Sequence, residues 1–152
     1  MLLDLLKNGF GKAANYTEAE KIRFGGVNLN CCERILYGAN EAYGLGLPDS
    51  SLRVSAPFGG GMGIGSICGA VTGALMVLSL KYCTGTEKQA PLKDEITIPF
   101  LGRVRAKMGG LTCRYYKPRY ATLEPFNCDA VIFSIAQALD ETIADLDRNK
   151  KS

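Results

Sequence analysis

The chain has 152 residues, 47% hydrophobic and 22% charged, with a net charge of +3, six cysteines, no histidine and no tryptophan. That length and balance fit one globular domain spanning residues 1–152, able to bury a core without disulfide or metal staples. Without histidine there is no Ser-His-Asp triad, Cys-His nucleophile pair, HExxH zinc site or CxxCH haem attachment, so chemistry must come from thiols, carboxylates, lysines, tyrosines or the backbone.

In chain order, Met1–Lys7 carries an acid inside its apolar stretch and no basic leader, unlike a secretory signal or a twin-arginine segment. The expected compartment is therefore the cytoplasm, where cysteines stay reduced. Six thiols there point to metal binding, redox chemistry or core filling rather than a disulfide framework. Thr17–Phe24 reads as a helix, with Thr17 and Glu20 in a capping-box pattern. Asn30 to about Tyr43 reads as a second helix ended by Gly44. A short helix follows Ser50 or Ser51 through about Ala56.

From Val54 to Leu80 there are 27 residues without a charge, seven of them glycine. The cluster Gly59–Gly65 reads as a loop, leaving Ser66–Leu80 as a helix too short to span a bilayer. A central helix, apolar all round because it is buried all round, accounts for it better than a membrane span. Gly61, Gly65, Gly69 and Gly73 recur every fourth residue, and the later ones form a small-residue stripe. Close helix packing or the approach of a ligand explains such a stripe. The loop suits an anion at a helix start, but it has no GxGxxG register, no preceding strand and no following Gly-Lys-Ser/Thr.

Pro99–Met108 reads as a helix closed by Gly109-Gly110. Between Ile96 and Leu123 lie Arg103, Arg105, Lys107, Arg114, Lys117 and Arg119 with no acid. A solvated basic face, a nucleic-acid surface, or a field around an anionic thiolate or metal–sulfur cluster would each explain this segment. Asn127–Arg148 reads as a long amphipathic helix with Val131, Ile132, Ile135, Leu139, Ile143 and Leu146 on one face and Asp140, Glu141, Asp145 and Asp147 mostly off it. No alternating run argues for a sheet. The expected fold is all-α, a compact bundle of five to six helices around a buried glycine-rich central helix.

The cysteines contain no CxxC. Cys31 and Cys128 each follow an asparagine at an expected helix start, Cys68 falls in the expected first turn of the central helix, and Cys113 lies in a glycine-flanked turn of the basic segment. Free N–H groups and the positive dipole end favour a thiolate at such places. The plainer alternative is that these cysteines fill the core. Cys83 has no such context, and Cys32, next to Cys31, points about 100° away on a helix.

Cys68-Gly69-Ala70-Val71-Thr72-Gly73, preceded by Phe58-Gly59-Gly60-Gly61-Met62-Gly63 and flanked by Asn30-Cys31, Cys113 and Cys128, resembles the C-GCAxxG-C-C family, whose members are described as redox-active. The resemblance runs from about Asn30 to the C-terminal helix. It implies a small, mostly helical protein suspected of holding an iron–sulfur cluster, and its four cysteines carry over to Cys31, Cys68, Cys113 and Cys128. Cys32 stands where a small residue is more usual.

The expected function is thus a small redox protein whose four thiolates ligate a [2Fe–2S] or [4Fe–4S] cluster and transfer electrons. Gly61, Gly63, Gly65 and Gly69 would let sulfide or backbone N–H groups approach it. No haem is expected. Partners would be a redox protein, an oxidoreductase or electron carrier, rather than a membrane or nucleic acid, and a homodimer stays open. An electron-transfer or accessory role fits better than a stand-alone enzyme, since no acid/base pair is evident. The alternatives are a metal-free thiol–disulfide protein, with Cys31–Cys68 or Cys113–Cys128 as pairs, structural zinc on four cysteines, or a basic binding module for nucleic acid or an acidic protein.

Overall fold

Two capping boxes set the first long helices. The Thr17 hydroxyl accepts the Glu20 N–H at 3.2 Å while the Glu20 carboxylate accepts the Thr17 N–H at 3.0 Å. Asn30 and Glu33 repeat the exchange at 2.9 Å in both directions. Each reciprocal pair satisfies two N–H groups that a helix start would otherwise leave bare. In this computed structural model, which describes residues 1–86 and 88–150, the helices are α1 (Leu2–Lys7), α2 (Glu18–Phe24), α3 (Cys31–Ala42), α4 (Asp49–Leu52), α5 (Gly69–Tyr82), α6 (Gln89–Leu92), α7 (Ile98–Met108), α8 (Cys113–Tyr120) and α9 (Asp129–Lys150). A 3-10 stretch, Arg53–Phe58, extends α4 through the expected short helix. The fold is mostly helical, as expected. Among the described residues the one sheet is a small antiparallel hairpin, β1 (Thr122–Leu123) with β2 (Phe126–Asn127), too short to show as alternation.

Helix α5 lies between α3 and α9, with α1 against α3 and α9 and α7 against α9. Its first turns are buried through Gly69, Ala70, Val71, Gly73, Ala74, Val77 and Leu78. Leu80 is 47% exposed, so burial all round holds for the first part of the helix and not for its end. The expected face of α9 is the one that packs: Val131, Ile132, Ile135, Leu139 and Ile143 are buried with Leu36, Val71, Leu78, Phe100 and Val104. Among the described residues no helix is long and apolar enough to cross a membrane.

The acids of α9 serve its neighbours. The Asp140 carboxylate accepts the N–H groups of Leu2 at 3.1 Å and Leu3 at 3.0 Å and so caps α1. Asp145 pairs with Arg103, and Glu141 with Lys107 at 2.8 Å. Part of the acid-free basic segment is therefore matched internally by the acidic side of α9, which its local composition does not show.

Helix α5 starts at Gly69 rather than Ser66, because the preceding residues are extended. Ile67 bridges Thr112 antiparallel, the Cys68 N–H donates to the Leu111 carbonyl at 2.9 Å, and the Cys113 N–H donates to the Ser66 carbonyl at 2.7 Å. Close packing of α3 on α5 uses the glycine stripe. A Cβ at Gly73 would stand 3.0 Å from the Cys32 carbonyl oxygen, and one at Gly69 would stand 2.5 Å from the Cys31 sulfur and 2.7 Å from the Phe58 carbonyl oxygen. Gly102, inside α7, has open space where a Cβ would go. Two alanine substitutions should therefore have opposite signs in chemical denaturation. Gly102→Ala is expected to stabilise by about 0.5–1 kcal/mol through helix propensity, and Gly69→Ala to destabilise by about 1–3 kcal/mol through overpacking.

Candidate functional site

Each of the four motif cysteines stands at the start of a helix. Cys31 is the first residue of α3, after the Asn30 cap. Cys68 immediately precedes α5, its carbonyl accepting the N–H groups of Val71 at 3.0 Å and Thr72 at 3.1 Å. Cys128 immediately precedes α9, one residue later in the boundary than the spacing suggests, and its carbonyl accepts the Ile132 N–H at 3.0 Å. Cys113 differs from expectation: it opens α8 rather than lying in a free turn, and the Thr112 hydroxyl caps that helix by accepting the Tyr115 N–H at 3.0 Å. Helix α8 has no apolar periodicity to reveal it, since only Cys113 and Tyr116 are buried.

Tertiary contacts bring the four starts together. The backbone bridge at Ile67 and Thr112 sets Cys68 beside Cys113. The absence of a Cβ at Gly69 lets the Cys31 sulfur approach, and the Cys31 and Cys68 thiols stand near enough to influence each other's ionisation. Cys128 is drawn in from α9 by its neighbour Asp129, whose carboxylate accepts from Arg34 of α3 at 2.7 Å and from Lys12 at 3.0 Å. Cys31, Cys68, Cys113 and Cys128 all line one cavity of about 230 Å³. Cys32 and Cys83 do not line it. Cys32 turns to the α3–α5 interface, where the Thr72 hydroxyl meets its sulfur at 3.9 Å.

The remaining walls are apolar on one side, with Leu29, Tyr116, Val131 and Ile132, and polar on the other, with Lys12, Asn28, Arg34, Lys117 and Asp129. Sequence reasoning missed Lys12, Asn28, Arg34 and Asp129 as members of this site, because nothing local marks residues so far apart in the chain. Lys117 and Tyr116 lay in the basic, tyrosine-bearing segment already singled out. Of the glycines expected near a cofactor, Gly69 packs on the Cys31 sulfur, while Gly61, Gly63 and Gly65 are absent from the lining and Gly60 is present. The loop turns through left-handed backbone at Gly60, Gly61, Met62, Gly63 and Gly65, which is why it is rich in glycine.

Electrostatics separate the thiols. The neighbouring Cys68 thiol and the backbone N–H groups of Gly60, Cys32 and Gly69 directed at the Cys31 sulfur hold its pKa below the usual thiol range against its burial. Cys68, beside Cys31 and buried, is held well above the usual thiol range even though Ala70 and Val71 direct N–H groups at it. Burial also raises Cys128, with Cys31 and Cys113 adding to the effect, and pushes Cys32 up to about 12. The expectation that every motif thiol is biased toward the anion is thus corrected for Cys68 and Cys128, where desolvation outweighs the helix-start N–H groups. Among the described residues no three of His, Cys, Asp or Glu stand close enough to hold a single metal ion.

A family model described as "Putative redox-active protein (C_GCAxxG_C_C)" matches residues 29–142. No curated protein and no solved structure matches the chain.

The pairing of Cys31 with Cys68 has a direct kinetic expectation. Alkylation of Cys31 by iodoacetamide, followed by peptide mass spectrometry, should rise with pH and reach half its maximum below the ordinary thiol value of about 8.5, because the Cys31 thiolate forms at lower pH. Cys32 should remain unmodified under the same conditions.

Proposed function

Because the chain belongs to the family of redox-active proteins defined by that cysteine and glycine signature, we propose that it is a small redox protein in which Cys31, Cys68, Cys113 and Cys128 hold an iron–sulfur cluster and exchange electrons with a partner protein. The observation that supports this reading is the meeting of those four cysteines, from four separate helix starts, on one cavity. The donor set fits the group: four thiols are what a [2Fe–2S] or [4Fe–4S] cluster takes from a protein, and such a cluster supplies one-electron exchange.

The chain's own residues would support that chemistry in three ways. Backbone N–H groups of Gly60, Cys32 and Gly69 at Cys31, and of Ala70 and Val71 at Cys68, stabilise negative charge on sulfur. Lys12, Arg34 and Lys117 outnumber Asp129 among the charged lining residues, which favours an anionic content. Leu29, Tyr116, Val131 and Ile132 form apolar walls that limit water.

The opposite shifts of the neighbouring Cys31 and Cys68 thiols, one lowered and one raised, favour a second reading, a metal-free dithiol. There the Cys31 thiolate attacks an oxidised disulfide partner, and the Cys68 sulfur, losing its proton, then displaces the partner's second thiolate. One Cys31–Cys68 bond forms, the partner's disulfide breaks, and two electrons pass to the partner. The binding-module reading is weaker, since Arg103 and Lys107 are matched within the chain by Asp145 and Glu141.

Anaerobic purification with iron and acid-labile sulfide analysis tests the proposal. Iron and sulfide in equal amounts are expected. Serine at Cys31, Cys68, Cys113 or Cys128 should remove most of the iron, whereas Cys32→Ser and Cys83→Ser should retain it. An iron-free protein that resists reconstitution, yet gives a Cys31–Cys68 disulfide with a thiol oxidant, would replace the cluster with the dithiol.

A further inference from the structure

The cavity holds charge that the cysteines do not account for. Arg34 is 2% exposed. Its Nε donates to the Phe10 carbonyl at 3.1 Å and its Nη1 to Asp129 Oδ1 at 2.7 Å. Its Nη2 is buried without an acceptor. Lys12 Nζ shares the same Asp129 oxygen at 3.0 Å, so two cations meet one carboxylate. At the exposed edge, Asn28 Oδ1 is occupied by the Ala13 N–H at 2.7 Å, which leaves its amide NH₂ as the available end.

A buried guanidinium N–H without an acceptor is rare and costly. The polar groups left over here are mostly donors: Arg34 Nη2, the remaining protons of Lys12 Nζ, and the Asn28 amide, with Asp129 Oδ2 an acceptor beside them because both ion pairs go to Oδ1. A donor-rich set with two cations to one carboxylate suits a ligand bearing negative oxygens, and charge-assisted hydrogen bonds of that kind are strong. A cationic ligand would leave the set unmatched.

We propose that Arg34, Lys12 and Asn28 form a binding site for a small oxyanion or carboxylate within the cavity that the Cys31 sulfur lines. The ligand's oxygens replace water at the cationic wall, and its remaining atoms face the sulfur wall. In the setting of the proposed redox function this is the substrate or effector side of the cavity, but the binding chemistry does not depend on whether the sulfurs carry iron.

Iodoacetate and iodoacetamide provide the test, because they deliver the same carbon to a thiol with and without a carboxylate. The full chain is reduced, stripped of any iron, and Cys31 modification is timed by mass spectrometry. Ordinary thiolates do not prefer the anionic reagent. The site predicts that Cys31 does, by about tenfold, with a rate that saturates in iodoacetate and is slowed by inorganic phosphate. Lys12→Ala and Asn28→Asp, both at partly exposed or exposed positions, should abolish the preference. Arg105→Ala, an exposed cation away from the cavity, should leave it intact. Arg34→Met should act like Lys12→Ala if circular dichroism shows it folded, and the other variants decide the matter if it is not. Equal or faster reaction with iodoacetamide in the parent chain, or a preference that survives both Lys12→Ala and Asn28→Asp, overturns the proposal. Iron content is measured separately, so a chain that binds iron but shows no anionic preference retains the redox reading and loses this one.

Discussion

The close approach of α3 to α5 is the constraint on which the rest of the molecule depends. It is possible because Gly69 and Gly73 present no side chain where the Cys31 sulfur, the Phe58 carbonyl and the Cys32 carbonyl lie. With the two helix starts that near, the extended Ser66–Cys68 segment runs beside Leu111–Cys113, and α8 begins at the same place. Arg34, one turn along α3 from Cys31, then reaches Asp129 and holds the start of α9. The small-residue stripe thus lets the Cys31 sulfur approach α5, while the Ile67–Thr112 bridge and the Arg34–Asp129 ion pair place Cys113 and Cys128.

Bringing several helix N-termini to one place concentrates positive potential and bare N–H groups, and that arrangement is stable only if negative charge or strong acceptors meet it. Sulfur provides this at Cys31, where three backbone N–H groups and the Cys68 thiol combine. At Cys68 and Cys128 burial has the larger effect and favours the neutral thiol. Similar helix-start settings therefore produce different thiols, and the difference comes largely from what surrounds each one. The cations Lys12, Arg34 and Lys117 extend the positive field across the cavity, while Arg103 and Lys107 are neutralised elsewhere by α9.

Much of this was legible in the chain. Capping residues at Thr17 and Asn30, the 3.6-residue spacing of Val131 to Ile143, and the closing Gly109 mark helices through local chemistry, and the structure has them at those places. Helix α8 was not legible: it is held by a threonine cap, a buried Tyr116 and ring contacts of Tyr116 with Tyr115 and Tyr120, and it lacks an apolar stripe. The capping of α1 by Asp140 was hidden for a different reason, since donor and acceptor are 138 residues apart for Leu2. The end of the central helix was read as buried from its apolar composition, yet Leu80 is 47% exposed. Composition reports what a residue tolerates and not what covers it.

By itself the sequence determined that histidine chemistry is absent and that cysteine is the first place to look, that the fold is helical, and which four cysteines belong together by motif. These follow from residue identity, capping and periodicity, which act within a few positions of the chain. Only the tertiary structure decided that the four share one cavity, that Cys31 and Cys68 pair with opposite proton affinities, and that Arg34, Lys12 and Asp129 stand beside them. Those outcomes depend on desolvation and on charges from distant segments, and both exist only once the helices have packed.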